Sequence, residues 1–319
     1  MPKVSIITPN FNKGPFLVET ILSVQKNTFK DWEMIIIDDG STDNSMELIS
    51  SIIQEDLRIK VFKQSNLGGG LARNKGIEEA RGQYLLFLDS DDLLTEKCLE
   101  QRVSVAESHS HAVGWVFPLL PFKGKIEDQI FIQPWIPPRT HFLEKLIEHD
   151  ITWTSMSPLW DTAFIKRHGR WNPQYPRLQD IEFHTHLLLQ DATILTFPDL
   201  PADCFYRLDE NKLVLGSRYN YLDKWVMGCG LYLDEFIPIL PKPLSRKITR
   251  TSLACQEVMG HYLRVKQINR KEFDTLSLQL RKSIPYPIHR MILRIYSEIL
   301  RVSPIHIPGL AKVFKFCLR

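Results

Sequence analysis

The chain has 319 residues, of which 44% are hydrophobic and 24% are charged. This length and composition suit one large domain or two moderate ones with a full hydrophobic core, and they exclude a disordered, collagen-like or coiled-coil protein. The net charge of +3 hides an asymmetry, because residues 1–240 contain 24 basic and 33 acidic residues whereas residues 241–319 contain 16 and 4.

The basic C-terminal region allows two interpretations. An acidic body with a basic tail suggests that the tail faces phosphate or an anionic membrane surface. Alternatively, residues 241–319 form a helical subdomain whose solvated Lys and Arg face docks on the acidic body. The sequence leaves both interpretations open.

The cysteines and the N-terminus bear on the compartment. Five cysteines, odd in number and widely spaced with no C-x-x-C pair, argue against a disulfide framework or a zinc site and fit a reducing compartment. The opening "MPKVSIITPNFN" has no signal-peptide features, and no apolar run approaches the roughly 20 residues of a membrane span. We therefore expect a cytoplasmic protein, at most peripheral at the inner face of the membrane.

Strand and helix patterns alternate over the first hundred residues. The strands are apolar and β-branched, and the first helix has an apolar stripe at Leu17, Ile21 and Val24 with Pro15 in its first turn. The alternation predicts an α/β fold with a mostly parallel sheet and helices on both faces. The predicted elements are strand 3–11, helix 13–28, strand 32–40, helix 41–56, strand 59–65, a glycine turn and helix 68–81, and strand 83–92.

The second half of the chain is less regular and then becomes helical. Prolines cluster at residues 237–247, where the charge balance changes sign, so we predict a domain over residues 1–240 and a basic helical region over residues 241–319. The predicted elements are a loop or lid at 131–142, a strand and short helix within 157–169, a helix at 177–191, strand structure within 193–208, and mostly helix from about residue 220.

Carboxylates follow two of the predicted strands. Asp38 and Asp39 end the second strand, and Asp89, Asp91 and Asp92 end the fourth. In parallel sheets, ligands bind beyond the carboxyl ends of the strands. Carboxylates two residues apart can converge on one divalent cation and its bound phosphates. The alternative for the second cluster is a helix N-cap.

The segment "NLGGGLARNKG", residues 66–76, leads three glycines into a predicted helix that carries Arg73. Glycines permit close backbone approach, and a helix N-terminus with an arginine nearby suits a diphosphate. A flexible turn before an ordinary helix is the alternative. The segment is not a P-loop, and no G-x-G-x-x-G follows the first strand as a dinucleotide fold requires.

Four segments, "VSIITPNFN", "IIIDDGSTDNS", "NLGGGLARNKGI" and "YLLFLDSDD", resemble in order and spacing the family 2 inverting glycosyltransferases, which have the GT-A fold. The resemblance covers residues 3–100 strongly and extends more weakly to about residue 210. It implies a GT-A nucleotide-sugar-binding fold with a mostly parallel central sheet and a helical C-terminal extension. Residues 1–100 would then bind the nucleotide sugar, and residues 101–240 would form the acceptor side.

The resemblance implies a role for each residue on the nucleobase side. Thr8 and Pro9, with Asn12 nearby, would line the nucleobase pocket. Asp39 would accept a hydrogen bond from the base, usually from uracil N3–H. Asp38 would support the same strand end.

On the diphosphate side, the resemblance places Arg73 near the phosphates and Asp89 near the ribose hydroxyls, with Ser90 also in the substrate site. Asp91, in the D-x-D motif, would ligate Mn²⁺ or Mg²⁺, which bridges both phosphates. Many relatives have a further histidine ligand after a Tyr-Arg pair, but "FYRLDENK" here contains none. Asp209 could ligate instead, or the metal could keep more water.

The segment "RLQDIEFHTHLL" resembles the family's acidic segment, usually Glu-Asp before an apolar helix. Asp180 occupies the position of the general base, and Gln179 stands where Glu is more usual. Inverting transfer needs a carboxylate that takes the proton of the acceptor hydroxyl while a metal stabilises the departing diphosphate. The alternative is that Asp180 is a helix N-cap.

The tail contains a helix with marked apolar periodicity, from which Arg290, Arg294 and Arg301 point away. Such a face usually packs on a core. With the basic residues near the C-terminus, the alternative is an interfacial helix on anionic lipid. The predicted apolar face consists of Ile288, Met291, Ile292, Ile295, Tyr296, Ile299 and Val302.

These features predict a metal-dependent inverting glycosyltransferase, either a hexosyl- or an N-acetylhexosaminyl-transferase. The resemblance implies a UDP-linked donor, a glycan or lipid-linked acceptor in surface polysaccharide synthesis, and no nucleic-acid partner. The alternative is a non-catalytic nucleotide-sugar or glycan-binding module on the same fold.

Overall fold

The computed structural model describes residues 1–124, 130–131, 134–148, 153–208, 217–303, 306–307 and 309–318. The chain divides into two units. The α/β unit comprises Met1–His141, Thr152–Pro173 and His186–Asp209, and the helical unit comprises Phe142–Ile151, Gln174–Thr185 and Glu210–Arg319.

The strands form two sheets within the α/β unit. They are β1 (Val4–Asn10), β2 (Trp32–Asp38), β3 (Ile59–Lys63), β4 (Tyr84–Phe87), β5 (Leu93–Leu94), β6 (Gly114–Val116), β7 (Leu120–Lys123), β8 (Ile130–Phe131), β9 (Pro158–Asp161), β10 (Ile194–Thr196) and β11 (Cys204–Arg207). The central sheet has the order β10-β6-β9-β4-β1-β2-β3, and the smaller sheet has the order β5-β11-β7-β8. In the central sheet, β9 alone runs antiparallel to its neighbours, so the prediction of a mostly parallel sheet is confirmed.

The helices complete both units. They are α1 (Gly14–Gln25), α2 (Ser45–Leu48), α3 (Ser50–Glu55), α4 (Gly69–Glu79), α5 (Cys98–Ser108), α6 (Phe142–Ile147), α7 (Thr162–His168), α8 (Gln179–Leu188), α9 (Arg218–Phe236), α10 (Lys242–Lys247), α11 (Arg250–Arg264), α12 (Arg270–Lys282), α13 (Pro287–Val302) and α14 (Leu310–Cys317). Among the described residues, no helix is long and apolar enough to cross a bilayer.

The core of the α/β unit follows the predicted pattern. Every residue of β2 is buried, as expected for a central parallel strand covered on both faces. In α1, the predicted stripe of Leu17, Ile21 and Val24 is fully buried, and Pro15 lies at the start of the helix. Burial of these apolar side chains therefore fixes the strands that carry the candidate site.

Two predicted elements are shorter in the structure. The helix expected over 41–56 is the pair α2 and α3, because Asp43 accepts hydrogen bonds from the backbone amides of Gly14 and Ser45 and holds residues 41–44 as a loop. Burial raises the pKa of Asp43, but these hydrogen bonds, with that from the Ser45 hydroxyl, outweigh it and lower the pKa. The strand expected over 83–92 ends at Phe87, and a turn follows in which the amide of Asp92 donates to the carbonyl of Asp89.

The helical unit packs α9, α11, α12 and α13 against one another. This confirms the helical C-terminal extension, whereas the domain boundary near residue 240 stays a prediction. Most of the apolar face predicted for the tail helix, however, does not pack on the core: Ile288, Met291, Ile295 and Val302 of α13 are exposed, and only Tyr296 of that face is buried. The other buried residues of α13 are His289, Leu293, Ser297 and Leu300.

Candidate functional site

The candidate site lies at the carboxyl ends of three parallel strands. In the central sheet, β1 pairs with β2 on one side and with β4 on the other, and Asn10 at the end of β1 lies opposite Asp38. Because neighbouring strands are about 4.8 Å apart, β2 and β4 are separated by about 10 Å. The two carboxylate-bearing turns therefore flank the end of β1, a distance that a nucleoside diphosphate can span.

Asp39 is held by three donors. Its carboxylate accepts hydrogen bonds from the side chain of Gln64 and from the backbone amides of Leu67 and Gly68, each at 2.8 Å. Gly68 has a φ of +94°, a conformation that disfavours other residues. Asp39 is only 4% exposed, so these donors stabilise its charge and fix its orientation. Sequence reasoning had not singled out Gln64.

Asp38 is 3% exposed and accepts a 3.3 Å hydrogen bond from the side-chain amide of Asn10. The same amide group donates to the hydroxyl of Ser41 at 3.0 Å. Asn10 therefore connects the end of β1 to the end of β2, and the supporting role of Asp38 stays a prediction.

The other residues predicted for the nucleobase side lie on and beyond β1. Thr8 is fully buried, and within the described residues its hydroxyl has no hydrogen-bond partner. Pro9 is half-buried, and Asn12 is exposed with a φ of +54°. The side-chain oxygen of Asn12 accepts hydrogen bonds from the amides of Thr42 and Asp43 at 2.8 and 3.2 Å. Asn12 therefore fixes the loop beside the site, and its role towards a ligand stays a prediction.

Arg73 and Asp89 form an ion pair. The guanidinium of Arg73 donates to the carboxylate of Asp89 at 2.6 Å and lies 4.5 Å from the ring centroid of Trp171. The side chain of Asn74 exchanges two hydrogen bonds, of 2.8 and 2.9 Å, with the backbone of Trp171. This cluster holds Arg73, which is 8% exposed, against the strand end where a diphosphate was predicted.

Asp91 pairs with a cation that the sequence did not single out. The ammonium of Lys13 lies 3.1 Å from a carboxylate oxygen of Asp91, which is 3% exposed. Lys13 comes from the residue before α1, 78 positions earlier in the chain. Neither Ser90 nor Asp92 caps a helix, because α5 begins only at Cys98.

Arg207 clamps the turn that carries Asp91. Its backbone amide donates to the carboxylate of Asp92 at 2.8 Å, and its guanidinium donates to the carbonyls of Asp91 and Gly124 at 2.9 and 2.7 Å. The guanidinium also pairs with Glu19. Arg207 is 4% exposed, so it acts as a buried brace. The sequence analysis did not assign a role to Arg207, although the Tyr-Arg pair could have drawn attention to it.

Asp180 belongs to the helical unit. It is the second residue of α8 and therefore not its N-cap, and it follows Leu178, whose φ of +65° is unusual for a bulky residue. Two turns into the same helix, His184 is 1% exposed. Burial lowers the pKa of His184 to about 3, against an opposing hydrogen bond to the Asp180 carbonyl, so its ring is neutral near pH 7.

Asp91 suits a divalent cation. Its buried carboxylate already faces a positive charge, and Asp89 supplies a second, half-buried carboxylate two residues away. Mg²⁺ and similar ions are usually held by one or two carboxylates together with substrate phosphates. In the part of the chain that the structure describes, no three His, Cys, Asp or Glu side chains form a metal-binding cluster by themselves. Asp209, the predicted alternative ligand, lies outside the described residues.

This fold and strand-edge site define a GT-A type glycosyltransferase. Residues 5–166, just over half of the chain, match the model of glycosyl transferase family 2. The chain belongs to this family, as the four sequence segments predicted.

Curated relatives match over part of their length. The chain is 45% identical over 105 residues to an uncharacterized glycosyltransferase of Haemophilus influenzae, which is 33% of this chain and 42% of that protein. It is 38% identical over 117 residues to the GalNAc(5)-diNAcBac-PP-undecaprenol β-1,3-glucosyltransferase of Campylobacter jejuni, which is 36% of this chain and 38% of that protein. The match to each of these relatives therefore spans less than half of that relative.

Solved structures share the fold over nearly the whole chain. S. aureus TarS 1–349 in complex with UDP-GlcNAc has a TM-score of 0.69 at 17% identity, covering 99% of this chain and 90% of that one. The mannosyltransferase PcManGT from Pyrobaculum calidifontis, in complex with GDP-Man and Mn²⁺, has a TM-score of 0.57 at 12% identity, covering 99% and 86%.

Proposed function

We propose that this protein is a metal-dependent inverting glycosyltransferase that moves a sugar from a nucleotide sugar to a glycan or lipid-linked acceptor. The observation that carries the proposal is the pairing of two acidic turns on one sheet edge, with Asp39 beyond β2 and Asp91 beyond β4. One turn suits a nucleobase, and the other suits a cation-bound diphosphate.

The donor is a UDP-sugar in this proposal. Asp39 is an anion fixed by three donors, so it accepts rather than donates hydrogen bonds at the ligand. Uracil and guanine each have a ring N–H that can donate a hydrogen bond to a carboxylate, whereas adenine and cytosine in nucleotides have none. The UDP-GlcNAc bound by TarS supports uracil, and the GDP-Man bound by PcManGT makes guanine the competitor to test.

Mn²⁺ or Mg²⁺ would be held by Asp91, with Asp89 beside it, and would stabilise the negative charge of the departing diphosphate when bound. Lys13 would leave Asp91 when the metal binds, because its ammonium and the metal compete for the same carboxylate oxygen. Arg73 would add a second cation next to the phosphates. The Mn²⁺ in PcManGT supports this assignment.

Asp180 is the proposed general base that accepts the proton of the acceptor hydroxyl. The Asp180→Asn variant should lose at least about a hundredfold in turnover, which is the usual size of general-base catalysis. Its affinity for the nucleotide should stay within about threefold of wild type, because the proposed base does not touch the donor's nucleotide. A variant with near-normal turnover would remove Asp180 from this role.

The proposed acceptor and compartment are based on one of the curated relatives. The name of the C. jejuni relative contains PP-undecaprenol, a lipid-linked glycan carrier, and describes glucosyl transfer. This supports transfer of a hexose or an N-acetylhexosamine to a lipid-linked glycan in surface polysaccharide synthesis. Such a reaction would take place at the cytoplasmic face of the membrane.

A thermal-shift screen of UDP-, GDP- and dTDP-sugars, each with and without Mn²⁺, tests the donor and the metal together. We expect the largest stabilisation from a UDP-sugar with Mn²⁺, and hydrolysis or transfer of that sugar in a coupled assay. Stabilisation without any turnover would favour the non-catalytic binding module. No stabilisation by any of these donors would contradict the proposal.

A further inference from the structure

Helix α13 carries two apolar stripes, of which one is buried and one faces solvent. Leu293, Tyr296 and Leu300 are buried in the helical unit. On an adjoining side of the helix stand Ile288, Met291, Ile295 and Val302, which are 49–67% exposed. A continuous apolar stripe in water is unfavourable and marks an interaction surface.

A cleft lined by basic side chains adjoins this stripe at Met291. This open cleft of about 400 Å³ lies between α12 and α13, with Leu278 and Met291 among its apolar walls. Four cations line the same cleft, namely Arg281, Lys282, Arg290 and Arg294. The cleft therefore presents apolar surface and positive charge side by side.

Three of the four cations of this cleft have no ion-pair partner in the described part of the helical unit. Among the described residues, Lys282, Arg290 and Arg294 form no ion pair, and the nearby Glu298 is paired with Arg301. Partial burial lowers the pKa of Arg281, and the neighbouring Arg294 lowers it further, against the opposing effect of Glu298 and Asp274. An anion from outside the chain would relieve the repulsion between Arg281 and Arg294.

Helix α14 also carries exposed apolar side chains beside cations. Its Phe314 packs on Tyr296 of α13 with ring centroids 4.6 Å apart, whereas Val313 and Phe316 are 60% and 63% exposed. Lys312 and Lys315 lie on the same short helix. Two adjoining helices thus combine exposed apolar side chains with cations, as interfacial helices do.

We propose that the exposed stripe of α13, together with the cation-lined cleft, docks on the surface of a bilayer that contains anionic phospholipid. The apolar side chains would enter the headgroup–acyl boundary, and the four cations would bind lipid phosphates. A second copy of the chain fits less well, because a two-fold interface on this stripe would bring like charges together. The inference does not rest on the proposed sugar transfer.

Co-sedimentation of the full chain with vesicles tests this docking. We expect binding to phosphatidylcholine vesicles with about 30% phosphatidylglycerol, and at least tenfold weaker binding to pure phosphatidylcholine, at about 0.1 M NaCl. The double variant Arg290→Gln with Arg294→Gln should bind the anionic vesicles about 30-fold more weakly. The double variant Ile288→Ser with Ile295→Ser should bind about tenfold more weakly.

The matched control removes the same charge elsewhere on the helical unit. Arg270→Gln with Lys271→Gln, at the exposed start of α12, should stay within about threefold of wild type. Absence of wild-type binding to the anionic vesicles, or equal binding of the Arg290/Arg294 variant and its control, would overturn the proposal. So would a wild-type dimer in sedimentation equilibrium that the Ile288/Ile295 variant abolishes.

Hydrolysis of the donor sugar in vesicle-free buffer separates this inference from the proposed function. The α13 variants should keep wild-type hydrolysis, because α13 belongs to the helical unit and both acidic turns belong to the α/β unit. Vesicle binding without donor turnover would count against the transferase and leave the docking surface intact.

Discussion

The α/β unit and the helical unit differ in whether their charged side chains have partners within the unit. At the sheet edge, three carboxylates each have a partner within the unit: the buried Asp39 has three donors, the half-buried Asp89 has Arg73, and the buried Asp91 has Lys13. In the cleft between α12 and α13, the cations Lys282, Arg290 and Arg294 have no ion-pair partner among the described residues. The carboxylates of the sheet edge are therefore preorganised, whereas the cations of the cleft are available to bind an anion from outside the chain.

This difference follows from burial. An unpaired carboxylate inside the α/β unit would cost several kcal/mol, so each one is held by a donor that a ligand can replace or join. An exposed cation costs little because water solvates it. A functional site that must bind a charged ligand in a fixed pose is therefore built from paired groups, whereas a surface that attracts a charged partner leaves its groups open.

The largest expected effect comes from breaking the internal pairing of the α/β unit. Arg207→Met should lower the free energy of unfolding by about 3 kcal/mol, because the carbonyls of Asp91 and Gly124 lose a buried charged donor. Urea unfolding measures this loss. Arg139→Met is the matched control, since Arg139 and Asp199 form an exposed ion pair worth at most about 1 kcal/mol. Equal losses in both variants would show that Arg207 is not a brace.

The next effect tests whether Asp91 receives a divalent cation. Asp91→Asn should weaken binding of Mn²⁺ in the presence of UDP by about 100-fold, since loss of an outer-shell partner alone costs 10–100-fold. Electron paramagnetic resonance of free Mn²⁺ measures the affinity without relying on turnover.

Lys13→Met is the counterpart of that variant. It should bind Mn²⁺ severalfold more tightly than wild type, because the ammonium no longer competes for Asp91. Weaker binding of Mn²⁺ to Lys13→Met would show that Lys13 supports metal binding and does not compete with it.

A third effect concerns a buried group that the helical unit keeps neutral. The folded-state pKa of His184 is about 3, below its ordinary value of 6.5, so the unfolded chain binds the extra proton first as the pH falls. Stability should therefore decrease below pH 6.5, by about 2 kcal/mol between pH 7 and pH 5.

Urea unfolding of His184→Gln at both pH values checks this dependence. The variant should lose most of the slope, whereas His261→Gln, at an exposed histidine of the same unit, should keep it. An unchanged slope in His184→Gln would assign the pH dependence to other groups.

The smallest expected effect lies in the cleft. Arg290 and Arg294 are four residues apart on α13, so Arg294→Gln should stabilise the protein by about 0.3 kcal/mol at low salt. The gain should disappear in about 1 M NaCl, where screening is strong. Lys224→Gln, on the exposed side of α9, should be neutral. Destabilisation by Arg294→Gln would mean that this cation already has a favourable partner.

Local sequence patterns predicted most strands of the central sheet. Strand 32–40, for example, is Trp32–Asp38 in the structure, and strand 59–65 is Ile59–Lys63. A continuous β-branched run has few other low-energy conformations that bury it. Helix 41–56 was predicted less well, because the hydrogen bonds of Asp43 to Gly14 and Ser45 compete with helix formation, and one of them is long-range.

The partners of the site residues were beyond sequence reasoning. Lys13 and Asp91 are 78 residues apart, and Arg207 and Asp91 are 116 apart. A carboxylate at the end of a buried strand requires a positively charged or hydrogen-bonding partner, but many cations along the chain could be that partner. Only the packing of β11 beside β5, and of α1 beside the turn after β4, selects the pair.

The sequence by itself determined the order of strands and helices, the acidic strand ends and the family, because these depend on neighbouring residues and short motifs. The tertiary structure alone decided which donors hold each carboxylate and which stripe of α13 faces water. Periodicity shows that a helix has an apolar face, but α13 has two, and the choice between them depends on the shapes of the helices packed against it.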